Sequence, residues 1–199
     1  MEVVGLFGGD TVYFSNEELK RIIETKPVGD FYPYNLKEYD DDAADEYISK
    51  VVGSLAAIKN LDYKAEFEHY GSGYASYVEV FCYKKDGSSS EERNGVLEID
   101  GIRIYICRLT PVAVIGKGRV TKHDKGGSSD FLPSQNVDVL PSGDWEEMAA
   151  GIRGVLARYH FKDLDSNYVS QPLPFEADIP TLLGDPPYKI FDALFYWED

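Results

Sequence analysis

Val96-Leu97-Glu98-Ile99-Asp100-Gly101-Ile102-Arg103-Ile104-Tyr105-Ile106-Cys107-Arg108-Leu109 is the stretch whose reading decides the fold. Apolar, mostly β-branched residues recur at every second position, which suits a pleated surface buried on at least one face. An Asp-Gly pair between two such runs is a strong signal for a two-residue hairpin, because that turn needs positive φ at its centre. The stretch is therefore predicted as two strands, Val96 to Ile99 and Ile102 to Leu109, folded back at Asp100-Gly101.

The same period extends on both sides. Upstream, Tyr77 to Lys84 carries Val78, Val80 and Cys82 on one face, and before it Tyr63, Ala65, Phe67 and His69 alternate with Lys64, Glu66, Glu68 and Tyr70. A turn over Gly71 to Tyr74 between these strands sets Tyr63 opposite Cys82 and His69 opposite Ser76. Lys85 to Glu92 is expected as a polar loop. Downstream, Pro111 opens a strand through Val112, Ala113, Val114 and Ile115, which Gly116 and Gly118 bend or bulge. Residues 121–143 are rich in Gly, Ser and Pro without a period, a long connection of the functional or surface kind.

Helical spacing brackets this meander. Ser15 with Glu18 forms a capping box, Phe14 can staple onto Leu19, and Leu19, Ile22 and Ile23 mark an apolar face that ends at Pro27 and Gly29. A second helix is predicted over about residues 40–60 from Ala44, Tyr47, Ile48, Val51, Val52, Leu55 and Ile58, with five acids crowding its start. A third follows from Asp144 as cap, with Glu147 at the third position and a stripe from Trp145 to Tyr159. Residues 171–187 form a Pro-rich extended segment, and Tyr188 to Trp197 reads as a last strand, with a helix the alternative for so short a run, whose Phe191, Phe195, Tyr196 and Trp197 face the core. The prediction is one α+β domain over residues 1–199: an antiparallel sheet of about five or six strands, helices on one face, two helices before the meander and one after.

Composition narrows the function. Lys plus Arg number 20 against 35 Asp plus Glu, a net charge of -15, which repels nucleic-acid backbones and anionic lipid. No apolar stretch approaches the length of a membrane helix, and the start Met1 to Phe7 lacks the basic region of a secretory signal, so a cytoplasmic location is expected. Cys82 and Cys107 make neither a disulfide framework nor a zinc site and are expected as reduced, half-buried thiols. His69, His123 and His160 sit in no metal-binding spacing, and the predicted register keeps His69 about 20 Å from Cys82 along the sheet. Gly71-Ser72-Gly73 and Gly116-Lys117-Gly118 match no phosphate-binding pattern and are expected as turn glycines. Glu66 and Glu68, two carboxyls on one strand face near several tyrosines, are expected as a solvated outer face rather than a glycosidase pair. No catalytic residue, metal site or cofactor is assigned.

The acids cluster as well as outnumber the bases. Asp40, Asp41, Asp42, Asp45 and Glu46 form one knot, beside Tyr34 and Tyr39 in a Pro-containing loop; Asp144, Glu146 and Glu147 form another. Opposed charge fields accelerate association, and tyrosines are favoured interface anchors. Those first seven residues are the predicted contact face for a basic protein partner. A small acidic α+β chain with a Pro-rich segment and the aromatic, acidic tail Asp192-Ala193-Leu194-Phe195-Tyr196-Trp197-Glu198-Asp199 resembles bacterial immunity proteins that neutralise polymorphic toxins. The resemblance implies a cytoplasmic, non-enzymatic inhibitor whose target is a basic toxin or nuclease domain. The alternatives from other classes are a small hydrolase acting on a neutral or cationic substrate, and a scaffold subunit.

Overall fold

The computed structural model describes residues 13–124 and 126–198, so the expectations drawn from residues 1–12 and from Asp199 lie outside the described residues. The capping box forms as predicted: the Glu18 N–H donates to Ser15 Oγ at 3.3 Å and the Ser15 N–H to Glu18 Oε2 at 2.8 Å, opening α1 (Asn16–Ile23). Asp40 caps α2 (Asp41–Ser54) through the Ala43 N–H at 3.0 Å; a 3-10 turn over Leu55–Ala57 ends the helix short of residue 60. The third helix, α3 (Glu146–Arg158), starts two residues after Asp144 and has no side-chain cap. Its entry is set instead by Trp145, whose buried ring docks in the core while its indole N–H donates to the Ser142 carbonyl at 3.1 Å.

Among the described residues the main sheet has seven strands. Its path runs β1 (Leu61–Glu66), β3 (Tyr77–Lys84), β5 (Val96–Cys107), β6 (Val112–His123) and β7 (Gly126–Ser129); β4 (Ser90–Arg93) pairs with β5, and β8 (Lys162–Asp163) with β6. Every pairing is antiparallel except the two-residue contact of β8. A second small sheet joins β2 (Tyr74–Ala75) to β9 (Trp197–Glu198). Two short helices, α4 (Ser166–Val169) and α5 (Ile190–Leu194), complete the elements of the described residues.

Asp100-Gly101 is not a turn. Val96 to Cys107 is one strand, and Asp100 and Gly101 pair with Arg119 and Gly118 of β6. The hairpin closes earlier, at Asn94-Gly95, where φ is 53° and 77°, the positive pair that a two-residue turn requires. Ser90 to Glu92, expected as loop, belong to β4, the strand that leads into it. Gly101 serves packing: a Cβ there would lie 2.3 Å from the Cys82 carbonyl oxygen and 2.7 Å from the Phe81 ring. Gly118, its partner, lies under the Arg103 side chain, and Gly116 under the Asn136 carbonyl, so neither bulges the strand. β6 consequently runs on to His123 and returns in β7, while Leu132 and Val137 are buried beside it, so most of the segment expected as a long aperiodic loop is built into the fold.

Tyr63 pairs with Cys82 as predicted, but β1 stops at Glu66. His69 and Tyr70, both at positive φ, begin a tight turn over His69–Gly71, so His69 is not opposite Ser76. At the other end, the predicted strand over 188–197 is α5 followed by the two residues of β9; Phe191, Phe195 and Tyr196 are buried as expected and Trp197 is half-buried.

Both sheet faces carry apolar side chains, and both are covered. Val80, Ile102, Ile104 and Ile115 pack under Ile48, Val51 and Val52 of α2 and Ile152 and Leu156 of α3. On the opposite face Tyr77, Tyr105, Cys107 and Val114 meet Leu19 and Ile22 of α1 and the C-terminal Phe191, Leu194 and Phe195. The expectation that all helices share one face fails because Tyr105, Cys107 and Leu109 alternate with the isoleucines, so the second face also has to be removed from water. Gly101→Ala is expected to destabilise by about 1–3 kcal/mol through overpacking, whereas Gly53→Ala, on an exposed turn of α2 with nothing within 4 Å of the new methyl, is expected to stabilise by about 0.5–1 kcal/mol; urea unfolding midpoints check both.

Candidate functional site

The predicted acidic face is built around an arginine that is hidden from water. Arg108, one residue beyond β5, has a side chain with 0% exposure. Its Nε and Nη2 donate to the two carboxylate oxygens of Asp45 at 2.7 and 3.1 Å, Nη2 also to the Phe67 carbonyl at 2.9 Å, and Nη1 to the carbonyls of Ala75 and Tyr77 at 2.9 and 2.7 Å. All five N–H groups are thereby matched. Asp41, one turn before Asp45 on α2, approaches the same guanidinium at 3.7 Å and accepts hydrogen bonds from the Tyr39 hydroxyl and from His69 Nε2, the latter at 3.0 Å. The Ala75 N–H donates to His69 Nδ1 at 3.0 Å, which assigns the ring proton to Nε2.

The seven predicted contact residues accordingly divide. Asp40, Asp42 and Glu46 are exposed, Asp40 as the helix cap and Glu46 paired with Lys50 at 2.9 Å. Asp41 and Asp45 are half-buried and turned toward Arg108 and His69. Tyr39 is half-buried against Tyr74. Tyr34 is 1% exposed, its hydroxyl bonded to the Cys107 carbonyl at 3.3 Å, so it is a core residue and offers nothing to a partner. Burial raises the Asp41 carboxyl pKa, and the hydrogen bonds from Tyr39 and His69 outweigh that, leaving it below the ordinary carboxylate value; for Asp45 burial prevails over Arg108 and leaves it raised.

A histidine against a carboxylate is half of a general-base device, and His69 with Asp41 forms that half. The other half is missing, since the nitrogen that would take a substrate proton accepts the Ala75 amide instead. Cys82 and Cys107 are fully buried; burial pushes both thiols up, Cys107 to about 11, which disfavours a thiolate at neutral pH. Glu68 lies beyond the end of β1, and Glu66 Oε1 accepts the backbone N–H groups of Glu68 and Tyr70 at 2.8 and 3.3 Å, so these two carboxyls do not face each other across a cleft. Among the described residues no group of three or more His, Cys, Asp or Glu side chains is arranged to hold a metal ion, and no helix is long and apolar enough to cross a membrane.

Arg108 and Arg103 are the residues that pattern reading passed over. Each interrupts an apolar run, and a cation at such a position needs an acidic partner from elsewhere in the chain. Comparison of the chain with family models, with curated proteins and with solved structures finds no match.

Arg108→Met leaves Asp45 and three carbonyls without their donor and is expected to cost about 3–5 kcal/mol, the range for breaking a buried ion pair, measured by urea unfolding. Because the Asp41 pKa is lowered on folding, its contribution is present above the usual carboxylate pKa and is lost as pH falls through the lowered value. Asp41→Asn is therefore expected to flatten the acid limb of a Tm-against-pH curve while leaving its slope at neutral pH unchanged.

Proposed function

We propose that this chain is a non-enzymatic binding protein that inhibits a basic protein partner by laying carboxylates over its active site, in the manner of an immunity protein. The observation that carries this reading is the outward set Glu38, Asp40, Asp42 and Glu46 at the start of α2, on a helix whose inner carboxylates are locked to Arg108. A contact face held in place before encounter loses little conformational freedom on binding, which favours affinity. In a chain of net charge -15 those carboxylates also sit in a field that draws a cationic surface in and speeds association. The buried thiols and the fully engaged His69 ring support a binding role over a hydrolytic one.

The contact face in this proposal differs from the set expected from sequence. Asp41, Asp45 and Tyr34 act from within, holding the helix, while Glu38 joins from the preceding loop. The test is capture from the lysate of the native host across a salt series, with mass spectrometry of the eluate. A single basic protein released as salt rises is the expected result. The triple variant Glu38→Gln, Asp42→Asn, Glu46→Gln spares the cap and the Arg108 partners, and is expected to slow association with the purified partner on the order of tenfold at low salt, with the difference shrinking as salt rises. Equal association rates for the two proteins would remove this face from the mechanism.

A further inference from the structure

We propose that the trough between β1 and the β6–β7 hairpin is a binding site for a small amphipathic carboxylate, an aromatic or branched apolar body carrying one anionic group. The trough lies on the second sheet face, beyond the rows covered by α1 and the C-terminal segment. Gly101 and Gly118 face each other there across β5 and β6, and the space over them is taken by the Phe81 ring and the Arg103 side chain. Ser129 of β7 reaches back over the sheet to accept a hydrogen bond from Arg103 Nη2 at 3.0 Å. The result is a cavity of about 300 Å³ lined by Phe81, Ile99, Val120 and Tyr83, with Tyr70 as a wall. That volume lies at the lower end of the ~300–1,000 Å³ typical of small-ligand sites, which are likewise apolar with a few convergent polar groups.

The charges around the trough select the ligand. Its two carboxylates are both engaged by the protein itself: Glu66 by the backbone amides of Glu68 and Tyr70, and Glu79 by Arg103 and the Tyr70 hydroxyl. Arg103 in turn neutralises Glu79. Lys64 on β1 and Lys122 on β6 line the trough, both exposed, and among the described residues no carboxylate lies within ion-pair distance of either. In a chain with 35 acidic residues against 20 basic ones, two unpaired lysines on one apolar trough make a local site of opposite sign to the protein as a whole. An apolar body on Phe81, Ile99 and Val120 with its carboxylate directed at the lysine rim satisfies both features. A cation would meet Lys64 and Lys122 with like charge, and a neutral ligand would leave them as they are.

The experiment uses the full chain and three probes of one shape: 3-phenylpropionate, 3-phenylpropanol and 3-phenylpropylamine. Titrations followed by calorimetry and by two-dimensional NMR are expected to show 3-phenylpropionate binding at a Kd of about 1 mM or tighter, with shifts centred on Phe81, Ile99 and Val120. The alcohol is expected to bind about tenfold more weakly, and the amine more weakly still. Lys64→Gln and Lys122→Gln, at exposed positions that leave the core untouched, are each expected to weaken the acid about threefold, and the double variant to bind acid and alcohol alike. Absence of binding by the acid up to its solubility, equal binding of all three probes, shifts located elsewhere, or a preference for the acid that survives in the double variant would each overturn the proposal.

Discussion

A guanidinium removed from water is most stable where each of its N–H groups meets an acceptor and its charge meets a carboxylate, because a lapse in either is costly. At Arg108 both conditions are met by four separate parts of the chain: Asp45 from α2, the Phe67 carbonyl from the connection after β1, the Ala75 carbonyl from β2, and the Tyr77 carbonyl from β3. The geometry of α2 relative to the sheet follows from this. A bidentate bond fixes the helix in both rotation and height, since a slip of one residue would carry Asp45 away from the fork. His69 belongs to the same arrangement, joining Asp41 on the helix to the backbone of Ala75.

A second buried arginine organises the opposite end of the sheet. Arg103 lies across Gly118, pairs with Glu79 and bonds Ser129, so β3, β5, β6 and β7 are linked over one face by a single side chain. Burial raises the Glu79 pKa, and the charge of Arg103 opposes that rise only in part, which marks the pair as held in a poorly hydrated environment. Glycine is required beneath these side chains because a Cβ would occupy the volume they fill, and the same glycines let two long strands run without a bulge.

The distribution of charge explains how far the acidic knot could be understood from its order in the chain. Helical spacing puts Asp41 and Asp45 on one side of α2, with Asp42 and Glu46 rotated away from them. That spacing was present in the sequence, yet which side faces inward depended on a cation 63 positions away from Asp45. The acids therefore serve two purposes that composition cannot separate: two stabilise the junction of helix and sheet, and the others give the surface its field.

By itself the sequence determined the elements whose cause is local. The Ser15-Glu18 box, the cap at Asp40, the period-2 runs of β1 and β3 with Tyr63 facing Cys82, and the apolar stripes of α2 and α3 all rest on residues within a turn or a hairpin of one another. Tertiary structure decided whatever depended on a distant neighbour. Asp100-Gly101 stays extended because Phe81, from another strand, lies on it, while the turn falls to Asn94-Gly95, where nothing prevents positive φ. Ile190 to Leu194 coils into a helix because it must cover Tyr105 and Cys107 rather than extend the sheet. Asp45 and Tyr34 turn inward because Arg108 and the Cys107 carbonyl, brought beneath α2 by the folded sheet, need their partners there.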